Sequence, residues 1–189
     1  MDSISAFSPI LTSIFPWYKM KRDKQEKKHQ KKRKGREAKM DFKLDMHTHT
    51  IASGHAYATV LEMVKAGAER GLELIGITEH AAGIPGTCDT MYFHNMKVIP
   101  RKMFGIEVMM GAEINILDYN GTLSLSEELI DRTLDIRIAG IHDLCYMVGT
   151  VAQNTQAIVK AIENPRIDII SHPDDARIPI DYDTIVDAA

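Results

Sequence analysis

From Met40 onward the chain alternates short apolar runs with stretches of helical period. KLDMH, residues 43–47, reads as a short buried strand. In TVLEMVKAGAERG, residues 59–71, Val60, Met63, Val64 and Ala68 fall on one helical face and Gly71 supplies a stop, which predicts a helix. LELIGITEH follows as a second strand ending at His80, and after a Gly/Pro-bearing loop a helix is expected around residues 95–104. The apolar run of VMMGAEINI ends at Glu113, SEELIDRTL reads as a capped helix, and DIRIAGIH is a strand ending at His142. NTQAIVKAIEN then predicts a helix closed before Pro165, and IDIISHP a strand ending at His172. Strands alternating with helices in this way predict a mainly parallel α/β architecture, whose strands are buried on both faces and therefore read as continuous apolar runs.

The polar residues that stop those runs change the picture. Five successive strands end at His47/His49, His80, Glu113, His142 and His172. In a (βα) barrel the carboxyl ends of all strands meet on one face, so residues distant in sequence would share one pocket, with six imidazoles if His55 joins them. Residues i and i+2 of a strand point to the same side, so His47 and His49 can turn their rings toward one ion. Neutral imidazoles and carboxylates are ligands for zinc and similar divalent ions. A single histidine at a strand end is more often a core or surface residue, but five strand ends that agree point to a metal centre. Asp45, two before His47, is either an acceptor for a ligand histidine's ring N–H or a plain strand-end acid.

Composition divides the 189 residues into two parts. Residues 19–39 carry twelve Lys/Arg against three Asp/Glu, whereas residues 40–189 carry eleven against twenty-two, a net charge of −11. The basic run has too little apolar surface to fold, so residues 1–39 are expected to be a disordered extension and residues 40–189 the folded domain. The preceding ISAFSPILTSIFPWY is short, broken by proline, and has its positive charge on the wrong side for an export signal, so neither export nor membrane insertion is expected. Two cysteines 57 positions apart, Cys88 and Cys145, read as free thiols of a cytoplasmic protein. There is no Gly-rich nucleotide fingerprint, no Gly-x-Ser-x-Gly elbow and no Cys-x5-Arg stretch.

DMHTHTIASGHAY, GITEH, GAEINI, IAGIH and ISHP, in that order, resemble the PHP (polymerase and histidinol phosphatase) superfamily, most closely its stand-alone YcdX-type phosphatases; FHNMKVIPR and NTQA are similar to that branch as well. The resemblance implies a distorted (βα)7 barrel with a trinuclear zinc centre. By that likeness His47, His49 and Glu113 serve one ion, Glu113 bridges to a second held by His142 and His172, and His55 and His80 serve a third, with Mn2+ or Fe2+ as alternatives to Zn2+. It also implies two further ligands from an Asp-x-His motif at the end of the last strand, yet no histidine follows His172. The expectation is therefore an incomplete barrel that lacks the last βα units, through gene disruption or an incomplete gene model. The implied function is metal-dependent hydrolysis of a small phosphomonoester by activated water, with Glu113 as the catalytic residue. Alternatives are a nuclease acting on DNA ends, for which the basic tail would hold phosphates, and an inactive metal-binding remnant. Because the acidic body repels a phosphate, its attraction must be local, and Arg101, Lys97 and His94 are the candidate contacts; Arg101 is equally well an exposed loop residue. Nucleic acid is the less favoured partner, no membrane partner is expected, and a homo-oligomer stays open.

Overall fold

The computed structural model describes residues 42–189, so the expectation of a disordered basic extension over 1–39 lies outside it. Strands β1 (Leu44–Thr48), β2 (Leu74–His80), β4 (Ile106–Asn115), β5 (Ile136–Gly140) and β6 (Ile169–Ile170) pair in the order β1-β2-β4-β5-β6, every pair parallel. The sheet curls into an open half-barrel, an incomplete (βα) barrel. A two-residue strand, β3 (Lys102–Met103), pairs antiparallel with the start of β4 and was not foreseen.

Helices α1 (Val60–Glu69), α2 (Thr90–Asn95), α3 (Glu127–Thr133), α4 (Val151–Ile162) and α5 (Tyr182–Ala188) follow the strands. The starts of α1 and α4 share one device. Thr59 accepts from the Glu62 amide while Glu62 accepts from the Thr59 amide, and Thr150 and Gln153 repeat the exchange. Each cap satisfies amides that the helix itself cannot, a contribution of about 1 kcal/mol. The second cap explains why α4 begins three residues ahead of the expected NTQA start. The helix expected around 95–104 is displaced toward the amino end: Asp89 caps α2 through the Met91 amide, a 3-10 turn at Met96–Val98 follows, and the chain is extended by Ile99, ahead of Pro100. Helix α5 was not foreseen either; Asp181 caps it, and Ile185 packs into the apolar cluster beneath α4.

Two apolar clusters hold these layers together. One joins Val64 of α1, Ile75 and Ile77 of β2, Phe93 of α2, Met110 of β4 and Ile130 of α3. The other gathers Ile116, Ile141, Tyr146, Ile158 and Ile185. Each such side chain contributes roughly 1.5–3 kcal/mol on full burial. The consequence for chemistry is register: His80 of β2 lies beside Glu113 of β4, which in turn lies beside Ile138 of β5. The strand continues past Glu113 to Asn115, so Glu113 stands inside the sheet rather than at its end.

Candidate metal centre

Glu113 is fully buried, and its two carboxylate oxygens face different histidines. Oε2 lies 3.1 Å from His47 Nε2, 3.3 Å from His49 Nε2 and 3.0 Å from His80 Nδ1. Oε1 lies 2.7 Å from His172 Nε2 and 3.4 Å from His142 Nε2, and it accepts a hydrogen bond from Ser171 Oγ at 2.8 Å. His55 completes the group, its ring centre 4.8 Å from that of His80 and 5.5 Å from that of His49. Five imidazoles thus face one carboxylate, and the sixth, that of His55, lies against two of them.

Neighbouring groups fix how two of these rings present themselves. Ser53 Oγ has one proton and gives it to Glu79 Oε2 at 2.6 Å, so toward His49 Nδ1, 3.0 Å away, it accepts. That places the His49 proton on Nδ1 and leaves Nε2 with a lone pair aimed at Glu113. Asn115 spends its amide N–H groups on Ala81 O, Ala82 O and Ser124 Oγ, so its Oδ1 accepts from His142 Nδ1 at 2.8 Å. His142 Nε2 is left, likewise, as a bare lone pair. Neutral nitrogen lone pairs facing a carboxylate repel it, and His80 Nδ1, His142 Nε2 and Glu113 Oε2 are all buried without a hydrogen-bond partner. An unsatisfied buried polar atom costs about 1–3 kcal/mol. One cation between them would satisfy all three, and the donor set fits one. His47, His49 and Glu113 offer ligand atoms within 4.8 Å of one another, and so do His80, Glu113 and His142.

The protonation preferences follow from the same contacts. Burial would push the Glu113 carboxyl up, but hydrogen bonding, with His172 Nε2 as the imidazole partner at 2.7 Å, outweighs it and holds the group far below the usual carboxylate range. Burial lowers His80 despite the nearby Glu113, which keeps its ring neutral, while the hydrogen bond to Glu113 raises His172.

The PHP domain profile matches residues 45–174, which contain all seven of these side chains. The chain belongs to the PHP domain family. A probable phosphatase of Clostridium novyi is 45% identical over 150 residues, covering 79% of this chain and 61% of its own length. A probable phosphatase of Thermoanaerobacter sp. is 44% identical over 151 residues with the same two shares, and one from Caldanaerobacter subterraneus is 45% identical over 157 residues, 82% of this chain and 61% of the relative. This PHP domain chain therefore spans about three fifths of the length of the curated relatives it matches.

Within the PHP domain, the three side chains expected to contact phosphate do not join the histidines. Arg101 lies beside the amino ends of β4 and β5, where Nη1 donates to Met96 O and Ile99 O at 2.9 and 2.6 Å and Nε pairs with Asp135 Oδ2 at 2.5 Å. It is a loop-tying arginine. His94 and Lys97 are exposed and flank a separate depression with Glu128, Arg132 and Thr133 of α3. Asp45 accepts only from the His47 backbone N–H, at 3.4 Å, and from no imidazole ring. The resemblance pairs His80 with His55 on a third ion; in the fold His80 Nδ1 also turns to Glu113 Oε2 and groups with His142.

Several functional-site residues escaped the reading of the sequence. Glu79 is fully buried and accepts from the Thr50 amide and hydroxyl, Ser53 Oγ and Tyr92 OH, at 3.0, 2.5, 2.6 and 3.4 Å. A charged residue beside His80 in an otherwise apolar strand was the available signal. Because Ser53 links Glu79 to His49, Ser53→Ala is expected to weaken divalent-ion binding about 10- to 100-fold, the usual cost of losing such an outer partner. Competition with a fluorescent zinc chelator measures this, and unchanged affinity would remove Ser53 from the account.

Proposed function

We propose that this chain is the metal-holding part of a phosphoesterase that hydrolyses a small phosphomonoester. The observation that carries the reading is the Glu113 carboxylate, one oxygen turned to His47, His49 and His80 and the other to His142 and His172. The relatives named probable phosphatases support it. His47, His49 and Glu113 would hold one divalent ion and His142, His172 and Glu113 a second, with His80, which also faces Glu113 and His142, and His55 on a third. Imidazole and carboxylate donors suit Zn2+ best, then Mn2+ or Fe2+. Bound ions supply a water acidified toward neutral pH and neutralise charge on the phosphoryl oxygens. The chain's own contribution is orientation. Glu79 through Ser53, and Asn115 directly, keep the Nε2 lone pairs of His49 and His142 aimed at the centre, while burial keeps His80 neutral and able to bind. Free thiols at Cys88 and Cys145 support placing it in the cytoplasm.

His55 and His80 give a third ion only two ligands that it does not share with Glu113, where zinc takes at least three protein ligands, so that ion should exchange most easily. Turnover of p-nitrophenyl phosphate before and after chelation, and again after Zn2+, Mn2+ or Fe2+ is restored, tests the proposal. Chelation should abolish turnover and one of the ions should bring it back. Turnover indifferent to chelation would overturn the reading.

A further inference from the structure

The histidine cluster opens into a cleft of about 600 Å3, and the segment just after His172 forms part of its wall with Asp174, Asp175 and Arg177. Arg177 is the one lysine or arginine among the described residues lining it. Its side chain is 65% exposed, yet its guanidinium is held in a fixed plane. Nε donates to Asp175 Oδ1 and Oδ2 at 3.0 and 3.1 Å, Nη2 donates to Asp175 Oδ2 at 2.7 Å, and Nη1 donates to Asp143 Oδ2 at 2.7 Å. Asp143 directly follows His142, and Asp175 lies three residues after His172, so the guanidinium is referenced to two histidines of the cluster.

Five N–H bonds belong to a guanidinium, and these contacts use three. One N–H on Nη1 and one on Nη2 have no partner among the described residues. A planar cation with spare donors, already restrained by two carboxylates, loses little further rotamer freedom on taking a second partner. Exposed ion pairs are weak, so a dianion that draws Arg177 part-way from Asp143 displaces little. Among the other residues of that wall the charges are negative, which leaves an incoming anion no other fixed cation of the described lining to meet.

We infer that Arg177 is the residue that receives the phosphate of the substrate, a phosphomonoester dianion whose terminal oxygens accept from its two spare N–H groups. The inference rests on the phosphoesterase reading for the identity of the anion. It places the recognition cation on the loop after β6 rather than at Arg101, Lys97 or His94.

A purely structural role, tying the loops after His142 and His172 together, is the competing account, and Asp143 separates the two. Orthophosphate binding to the metal-loaded protein is measured by calorimetry for wild type, Arg177→Gln, Arg177→Lys and Asp143→Asn, with metal content recorded for each. Arg177→Gln is expected to weaken phosphate binding at least about ten-fold at unchanged metal content, and Arg177→Lys to recover part of the loss. Asp143→Asn, which removes the competing negative charge and keeps the cation, should bind phosphate as tightly as wild type or tighter. Equal weakening by Asp143→Asn and Arg177→Gln would show a loop tie and overturn the inference, as would a wild type that binds no phosphate. Bound phosphate lost in Arg177→Gln, in a protein that turns over no phosphomonoester, would sustain Arg177 and sink the phosphoesterase reading. Turnover with KM unchanged in Arg177→Gln would do the reverse.

Discussion

Replacing Glu113 with glutamine is expected to lower divalent-ion affinity by more than about 100-fold, exceeding the loss of an outer-shell partner. Among the described residues the carboxylate is the only group that faces all the central histidines, with His47, His49 and His80 on one oxygen and His142 and His172 on the other. An amide keeps the shape but carries no charge, and its NH2 end would present hydrogens where a cation is to bind. Cys145→Ser is the matched control. The Cys145 thiol is half-buried, its pKa is raised by that burial, and its only hydrogen bond is to the His142 carbonyl at 3.7 Å. Zinc affinity by chelator competition should be nearly unchanged there. Similar losses in the two variants would take Glu113 out of the centre.

The second large effect is expected from Gly140→Ala at the end of β5. A Cβ at this position would collide with Ser171 Oγ and come within 3.3 Å of both Glu113 Oε1 and His172 Cε1. Ser171 cannot easily withdraw, because its hydroxyl donates to Glu113 and its amide donates to Ala139 O at 2.9 Å. The strand must therefore shift, and with it His172, whose backbone already sits at φ 26, a strained value for a residue with a side chain. Overpacking of this kind costs about 1–3 kcal/mol, a fall in melting temperature of roughly 2–12 °C for a domain of this size. Thermal unfolding together with metal content reads both consequences. A variant that melts with wild type and holds as much metal would show that Gly140 is not what lets β5 and β6 close on Glu113.

What could be read from the sequence was what short-range pattern encodes. His47, His80, His142 and His172 each come at or just after an apolar run, and a parallel sheet gathers the ends of such runs on one side, so their convergence followed from period and topology alone. The helices bearing Thr59 and Ser126 caps were legible for the same local reason. The starts of α2 and α4 were misplaced because Asp89 and Thr150 act as caps from outside the apolar pattern. Partnerships across the fold were hidden. Arg101 is claimed by Asp135, thirty-four residues on, and no local feature distinguishes an arginine tied at the amino end of the sheet from one waiting for phosphate. Glu79 with Thr50, Ser53 and Tyr92 joins three separate segments, and Arg177 with Asp143 joins two. The His-x-His pair was visible in the sequence, but the proton on His49 Nδ1 needed Ser53 and Glu79 in place.

The central claim is that the cluster around Glu113 is a divalent-ion centre. Elemental analysis of the protein after loading with zinc and exhaustive dialysis tests it most directly, run beside a His47→Ala, His142→Ala double variant that removes one ligand from each of the two ligand groups. At least two ions should be retained per wild-type chain, one for each ligand group that shares Glu113, and they should be lost in the double variant. Wild-type protein that retains no more zinc than the double variant would contradict it.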